Sequence, residues 1–301
     1  MAAGANLCSE WPSSVTAAGW TPGRYREGCV TSSAVEVWRS RNVLRYLVRR
    51  DLALKYQQSV MGYLWSLIEP VGIGLIYYFV FILIIGRGGR LAEIMDERQY
   101  ILYLMSGIFS YMWTSGAFNQ TTNALTSQKN LITTMKIPRE VFPIGRVFAR
   151  SAEFLAGVPI LVIIALFVEV PITWALLAIP LAMLVQATFL TGVGLILSSV
   201  NVLANDVARF MSMVSRLIFY SSPILYPLVM VQESEQFPEW AKVLYLANPL
   251  VGIVEIYHAA WFPELFPSPG LLITCIAGSL LTLGVGWLVF RRLEPAVLKE
   301  L

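Results

Sequence analysis

Few side chains in this 301-residue sequence have the type and spacing that bond-making chemistry requires. Its one histidine, His258, has Glu255 and Tyr257 beside it. A general base needs a partner that positions it, so a lone histidine reads first as a structural hydrogen-bonding residue. Glu233, Glu235, Glu239, Glu255 and Glu264 lie around it. Carboxylates tuned apart in pKa could serve a membrane-embedded transferase, and spacing alone leaves that reading open. Cys8, Cys29 and Cys275 are too scattered for a zinc site or a disulfide framework, and Cys275 reads as a small packing residue in an apolar run. No phosphate loop of the G-x-x-x-x-G-K-S/T kind is present: Lys129 follows Ser-Gln and Lys136 follows Thr-Met, without the glycines whose N–H groups would cradle phosphate. No metal or other cofactor is expected on this chain. If ATP drives it, ATP and Mg²⁺ sit on a partner.

Two basic patches stand above the rest. The first runs from Arg50 through Lys55 and Tyr56 to Trp65, followed by Glu69-Pro70. The second, Lys129 to Pro143, mixes Lys129, Lys136 and Arg139 with Leu131, Ile132, Met135 and Ile137. Basic loops are expected beside membrane spans for topology alone, but that rule does not explain four apolar residues within one.

The elements that would carry these patches follow from composition. The chain is 56% hydrophobic and 14% charged, with a mean hydropathy of +0.64. Soluble domains carry about 25% charged residues, so an ordinary soluble enzyme is excluded. A crossing helix needs about 20 mostly apolar residues. Six runs qualify: Met61 to Ile85, Tyr100 to Leu125, Val147 to Val168, one within Pro171 to Asn205 with an exit turn near Ser198 to Asn201, Phe210 to Met230, and Gly270 to Phe290. The fold class is therefore all-α, a polytopic membrane protein with six transmembrane helices. Glu69, Glu153 and Arg216 lie within these runs near their inner ends, and Glu153 follows Arg150 at a spacing that permits a helical ion pair.

An even number of spans leaves both termini on one side. With the termini inside, the inner segments hold 18 basic and 10 acidic residues, a balance of +8, and the outer ones 4 and 9, a balance of −5. The positive-inside rule then places both termini in the cytoplasm. Residues 1–33, rich in Gly, Pro, Ser and Thr, read as a disordered tail. Residues 34–60 read as an amphipathic helix on the inner leaflet, with Val37, Leu44, Leu47, Val48 and Leu54 on one side and Arg39, Arg45, Arg49 and Arg50 on the other. Residues 61–301 form the membrane domain. Between the fifth and sixth runs, Val243 to Val254 is apolar, too short to span and broken at Asn248-Pro249, which predicts two short re-entrant helices meeting at a kink and lining a gate.

Taken in order, the Arg50 to Trp65 patch, the Lys129 to Pro143 patch with its Pro138-Arg139-Glu140 and second proline, four further spans and the Asn248-Pro249 segment resemble the membrane subunit of ABC-2 type exporters of lipid-linked polysaccharide: O-antigen, teichoic acid and capsule. The resemblance covers residues 34–301. Lys55-Tyr56 stands where relatives usually carry Arg-Tyr, a departure that keeps the charge. Arg outnumbers Lys 17 to 5, which points to a high-GC source and, within the family, to mycobacterial-type galactan exporters.

The resemblance implies a homodimer in a bacterial cytoplasmic membrane, bound to two cytoplasmic ATP-binding subunits and moving a polyprenyl-linked glycan, with membrane lipid around it and no nucleic-acid partner. It implies a coupling helix at Asn130 to Arg139 that seats in the ATPase; physically, Leu131, Ile132, Met135 and Ile137 could supply an apolar knob ringed by the charges of Lys129, Lys136 and Arg139, and Pro138 and Glu140 belong to the same coupling patch. Arg45, Arg49, Arg50, Lys55 and Tyr56 belong to the interface helix. It implies a conduit on the first, second and fifth spans, where Tyr77, Tyr78, Phe81, Phe109, Tyr111, Trp113, Phe118, Phe219, Tyr220 and Tyr226 could pack against the C–H faces of sugar rings. Asn248, Pro249, Tyr257 and Trp261 mark the outer gate. An ABC-2 exporter of a small lipid or drug is the alternative within the family.

Overall fold

A computed structural model describes residues 37, 39–56, 61–84, 96–134 and 137–300. The tail at 1–33, Met135 and Lys136 lie outside the described residues, as does the side chain of Tyr56. The described residues form helices and connecting turns, with no strand among them.

Helix α1, Arg41–Tyr56, is amphipathic as its sequence predicts. Leu47 is buried, and Val43 and Leu44 pack beside it, while Arg45 and Arg49 are exposed. Leu54, expected on the apolar side, is exposed. A 3-10 turn at Gly62–Leu64 leads into α2, Trp65–Tyr78, which loosens into a π-helical turn at Phe79–Ile84.

Helix α3, Glu97–Thr122, is the central post, with Asp96 capping its first turn by accepting from the Arg98 N–H at 3.3 Å. Tyr100 and the whole stretch from Leu102 to Ser110 are buried. Protein surrounds it, so it does not need a lipid-facing apolar stripe. Three of its buried hydroxyls are satisfied on the helix itself: Ser106 donates to the Tyr103 carbonyl at 2.8 Å, Thr121 to Ala117 at 2.7 Å and Thr122 to Phe118 at 2.6 Å.

A 3-10 turn, Thr126–Gln128, leads to the short helix α4, Lys129–Thr134. Helix α5 is Val141–Phe167 and begins six residues before the predicted run, because the apolar Val141, Phe142 and Ile144 are already buried. Helix α6, Ala178–Leu203, follows the 3-10 turn Trp174–Leu177. The exit turn expected near Ser198 to Asn201 is absent: Ser198 and Ser199 donate back to the Leu195 carbonyl at 3.1 and 2.9 Å, so the helix continues through them. Asn201 instead accepts from the Ala208 N–H at 3.2 Å and ties α6 to α7, Val207–Tyr220.

The predicted run Phe210 to Met230 is not one helix. α7 ends at Tyr220, the chain turns through Ser221 to Pro227, and α8, Leu228–Gln232, follows. Buried backbone released from a helix needs partners elsewhere in the protein. The Tyr100 hydroxyl donates to the Leu225 carbonyl at 2.7 Å, and the Tyr103 hydroxyl reaches the carbonyls of Pro223 and Tyr226 at 3.0 Å each. Helices α9, Glu239–Leu246, and α10, Pro249–Trp261, meet at 70°, with the break at the expected Asn248-Pro249. The Asn248 side chain accepts from the Leu250 N–H at 3.1 Å, and Pro249 takes the first helical turn, where its missing N–H is harmless. Helix α11, Pro269–Glu300, runs ten residues past the predicted end at Phe290 and passes through Arg291, Arg292 and Pro295.

Among the described residues four helices are long and apolar enough to cross a membrane: Trp65–Ile82, Val141–Phe167, Trp174–Leu203 and Pro269–Glu300, with a fifth if the bent α9–α10 pair is counted as one. Small residues bring α6 and α11 together: a Cβ on Gly192 would overlap the Thr282 carbonyl, and one on Gly286 the Gly192 carbonyl. Such backbone approach is how helices associate where apolar burial gives no drive between them.

Candidate functional site

The end of the molecule that carries α1 and α4 is bound by one apolar cluster: Leu47 of α1, Ala124 and Leu125 after α3, Ile132 of α4, Val141 and Phe142 of α5, Leu195 of α6, and Phe290 and Val297 of α11. Ile132 is 5% exposed, so it faces this cluster rather than outward. Leu131 and Ile137 are half-buried against it. The outward face of α4 is Lys129, Asn130, Thr133 and Thr134, and an open depression of about 550 Å³ runs between this helix and Arg50. Pro138 is half-buried, and Arg139 donates to Glu294 of α11 at 2.7 Å, fastening the loop to the last helix.

Glu140 is buried beside this contact, and burial raises its carboxyl pKa above the ordinary 4.5. A carboxyl whose folded pKa is raised stabilises the fold below its unfolded value and loses that contribution as pH rises through the folded value. Glu140→Gln therefore melts close to the parent at about pH 4 and above it at about pH 7.5, as read by thermal unfolding at the two pH values.

Ion pairs lock α1 to α5. Lys55 donates to both oxygens of Glu153 at 2.8 and 3.0 Å, Arg150 meets Glu153 at 2.6 Å as its spacing predicts, and Arg146 meets Asp51 at 3.1 Å. Arg50 lies 3.3 Å from the same Asp51. The Arg150 guanidinium lies over Gly116 of α3, where a Cβ would sit 2.7 Å from it.

The ten aromatics divide into two groups. Tyr77, Tyr111, Phe219 and Tyr220 form one connected face: Tyr77 lies 5.3 Å from Phe219 ring to ring, Tyr111 4.8 Å, and the Tyr77 and Tyr220 hydroxyls are 3.3 Å apart. Tyr226 continues it, donating to the Tyr220 carbonyl at 3.1 Å and meeting the Tyr245 hydroxyl at 3.4 Å. Tyr220 is 60% exposed and Tyr77 and Tyr111 are half-buried, while Phe219 is buried among them, so the cluster opens to the surface at Tyr220. The Phe81 ring lies 6.2 Å from that of Tyr100, tilted by 58°, and Tyr78 is half-buried against the core. Phe109, Trp113 and Phe118 are turned inward: Phe109 covers Gly157, Trp113 donates to the Val147 carbonyl at 3.2 Å, and all three are at most 3% exposed. They are core, which period and type alone do not separate from a lining.

Helix α10 is buried from Leu250 to Trp261. Pro249 packs on Gly278 of α11, and Gly252 lies against Cys275, whose thiol reaches the Pro249 carbonyl at 3.3 Å. The Tyr257 hydroxyl donates to Gln186 of α6 at 2.8 Å, and Gln186 donates to the Ser110 carbonyl at 2.9 Å and the Thr114 hydroxyl at 2.8 Å of α3. His258 stacks on Tyr103 at 3.7 Å, with Glu255 at 4.0 Å. No motif marks Gln186, Tyr103 or Tyr245 in the sequence; the one available signal is a glutamine in a charge-free run. Gln186→Leu strands the Tyr257 hydroxyl and lowers stability by about 1–2 kcal/mol, the upper range for a polar contact between membrane helices. Adding Tyr257→Phe recovers part of that loss in a double-mutant unfolding cycle.

Among the described residues no three His, Cys, Asp or Glu side chains gather as metal ligands. The ABC-2 type transporter family model matches residues 42–262. The chain belongs to the ABC-2 type transporter family. Every candidate coupling, aromatic and outer residue of this ABC-2 chain falls in the matched segment, and α11, which braces the others, lies beyond it. The O-antigen export system permease protein RfbA of Klebsiella pneumoniae is 28% identical over 256 residues, covering 84% of this chain and 92% of that protein. RfbA of Myxococcus xanthus is 26% identical over 264 residues, 87% and 96% of the two chains. The polysialic acid transport protein KpsM of Escherichia coli is 25% identical over 267 residues, 84% and 93%.

Proposed function

We propose that this chain is the membrane permease subunit of an ATP-driven exporter that carries a polyprenyl-linked polysaccharide across the bacterial cytoplasmic membrane. The observation that carries the reading is the near full-length likeness to permeases named for O-antigen and polysialic acid export. The connected rings of Tyr77, Tyr111, Phe219 and Tyr220, open to the surface at Tyr220, support it, because rings of this kind hold sugars by their C–H faces without fixing any one unit.

In this reading the bundle crosses six times, by α2 with its π turn, α3, α5, α6, α7 with the turn after it, and α11. Both termini lie inside, as the +8 and −5 balances favour. α9 and α10 enter and leave from the outer side as a gate, α10 held by Gln186 and by α11. Two copies face each other across the aromatic surface, and two ATP-binding subunits dock on the outward residues of α4. Movement of α4 reaches the membrane helices through Ile132, which is buried in the cluster, and through the half-buried Arg139–Glu294 pair, which ties the following loop to α11.

Depletion of the chain in its native cell tests the cargo. Lipid-linked glycan then accumulates on the cytoplasmic side, measured by extraction and sugar analysis. Normal glycan export with loss of a small lipid or drug efflux would replace this reading with the alternative.

A further inference from the structure

We propose that the chain holds one anionic phospholipid of the inner leaflet in a groove between α5, α6 and α11, with its phosphate on Arg45 and Arg49 of α1. The groove has a volume of about 890 Å³ and is walled by Phe148, Leu184, Leu280 and Leu288, with Trp287 and Arg291 at one end. Its apolar walls are exposed, Leu184 at 68% and Leu280 at 58%. From Leu280 to Arg291 the wall rises about 16 Å at 1.5 Å per residue. Half of a hydrocarbon core about 30 Å thick is the same depth, so the groove accommodates the acyl chains of one leaflet.

The charged end lies where a headgroup would be. A second depression of about 400 Å³ is lined by Phe148 together with Arg45, Arg49 and Val48, and Phe148 is shared with the groove. Arg45 and Arg49 are four apart on one helix face and exposed, and among the described residues neither forms an ion pair or a side-chain hydrogen bond. Like charges at that spacing oppose each other. A phosphate between them reverses the sign, and the guanidinium fork matches its oxygens. α1, α5, α6 and α11 carry none of the exposed aromatic face, which separates this site from the glycan path. A polyprenyl chain is longer than one leaflet is deep, so a two-chain phospholipid fits the groove better.

The placement rests on the proposed inside position of α1. The test avoids that dependence by using vesicles with the same lipid in both leaflets and by requiring neither transport nor an ATPase. The full-length protein is reconstituted in equal phosphatidylglycerol and phosphatidylcholine, re-extracted in mild detergent and washed, and the retained lipid is quantified. The parent retains phosphatidylglycerol in about tenfold preference. Arg45→Gln with Arg49→Gln brings the ratio close to one. Gly284→Leu, placed where a Cβ meets nothing within 4 Å, fills the groove and removes retained lipid at an unchanged melting temperature. A parent ratio of one, retention untouched by both variants, or a Gly284→Leu variant that changes only the oligomeric state would overturn the proposal, the last by assigning the groove to a second copy.

Discussion

Gly286→Leu abolishes recovery of monodisperse protein, whereas Gly284→Leu, two residues earlier on α11, leaves the melting temperature unchanged. The difference lies in what each new side chain meets. At Gly286 a Cβ overlaps the backbone carbonyl of Gly192, and the reverse approach at Gly192 meets the Thr282 carbonyl. Backbone cannot rotate away as a side chain can, so α6 and α11 must separate. Overpacking a core ordinarily costs about 1–3 kcal/mol when side chains absorb the strain. Separating these two helices also releases Phe290 and Val297 from the cluster around Leu47 and Ile132, and Cys275 from α10, so the loss exceeds that range. Size-exclusion profiles and thermal unfolding in detergent measure it. A Gly286→Leu protein that melts with the parent would show that the α6–α11 crossing is not what holds the bundle.

Ile132→Asp separates hydrolysis from export. The side chain is buried among Leu47, Leu125, Val141, Phe142 and Leu195, and a carboxylate there has no partner. Burying such a charge is costly enough that the helix leaves its seat instead. α4 then keeps its outward Lys129, Asn130, Thr133 and Thr134 for a docked ATPase but loses its connection to the membrane helices. ATP hydrolysis by the complex persists while glycan export falls by more than about tenfold, which corresponds to a coupling loss above about 1.4 kcal/mol. Ile132→Leu, which keeps volume and polarity, retains both activities. Arg139→Ala produces a weaker form of the same separation by freeing the loop from Glu294. Hydrolysis and export unchanged in Ile132→Asp would remove α4 from the coupling route.

What sequence could foresee follows from which interactions are local. The Asn248-Pro249 break is written in two adjacent residues and appears at that position. Arg150 with Glu153 is a matter of helical spacing and forms at 2.6 Å. Lys55 with Glu153 joins residues 98 apart, and no periodicity announces it. The end of α7 at Tyr220 was hidden because the tyrosines that satisfy the freed carbonyls, Tyr100 and Tyr103, lie on another helix. Ser198 and Ser199 looked like a turn because their hydroxyls are polar, yet they bond back to their own helix. Among the aromatics, type and span were legible but direction was not: Phe109, Trp113 and Phe118 face the core, and the cluster that opens at Tyr220 is made by Tyr77, Tyr111 and the buried Phe219.

Transport by the reconstituted complex tests the central claim most directly. The chain is purified with its ATP-binding partner and placed in proteoliposomes with a radiolabelled polyprenyl-linked glycan in the outer leaflet. Glycan becomes protected from external glycosidase only when ATP, the partner and this chain are all present, and Tyr77→Ala with Tyr220→Ala slows that protection. Protection that proceeds without ATP, or that is absent while the same vesicles export a small lipid or drug, would contradict the assignment.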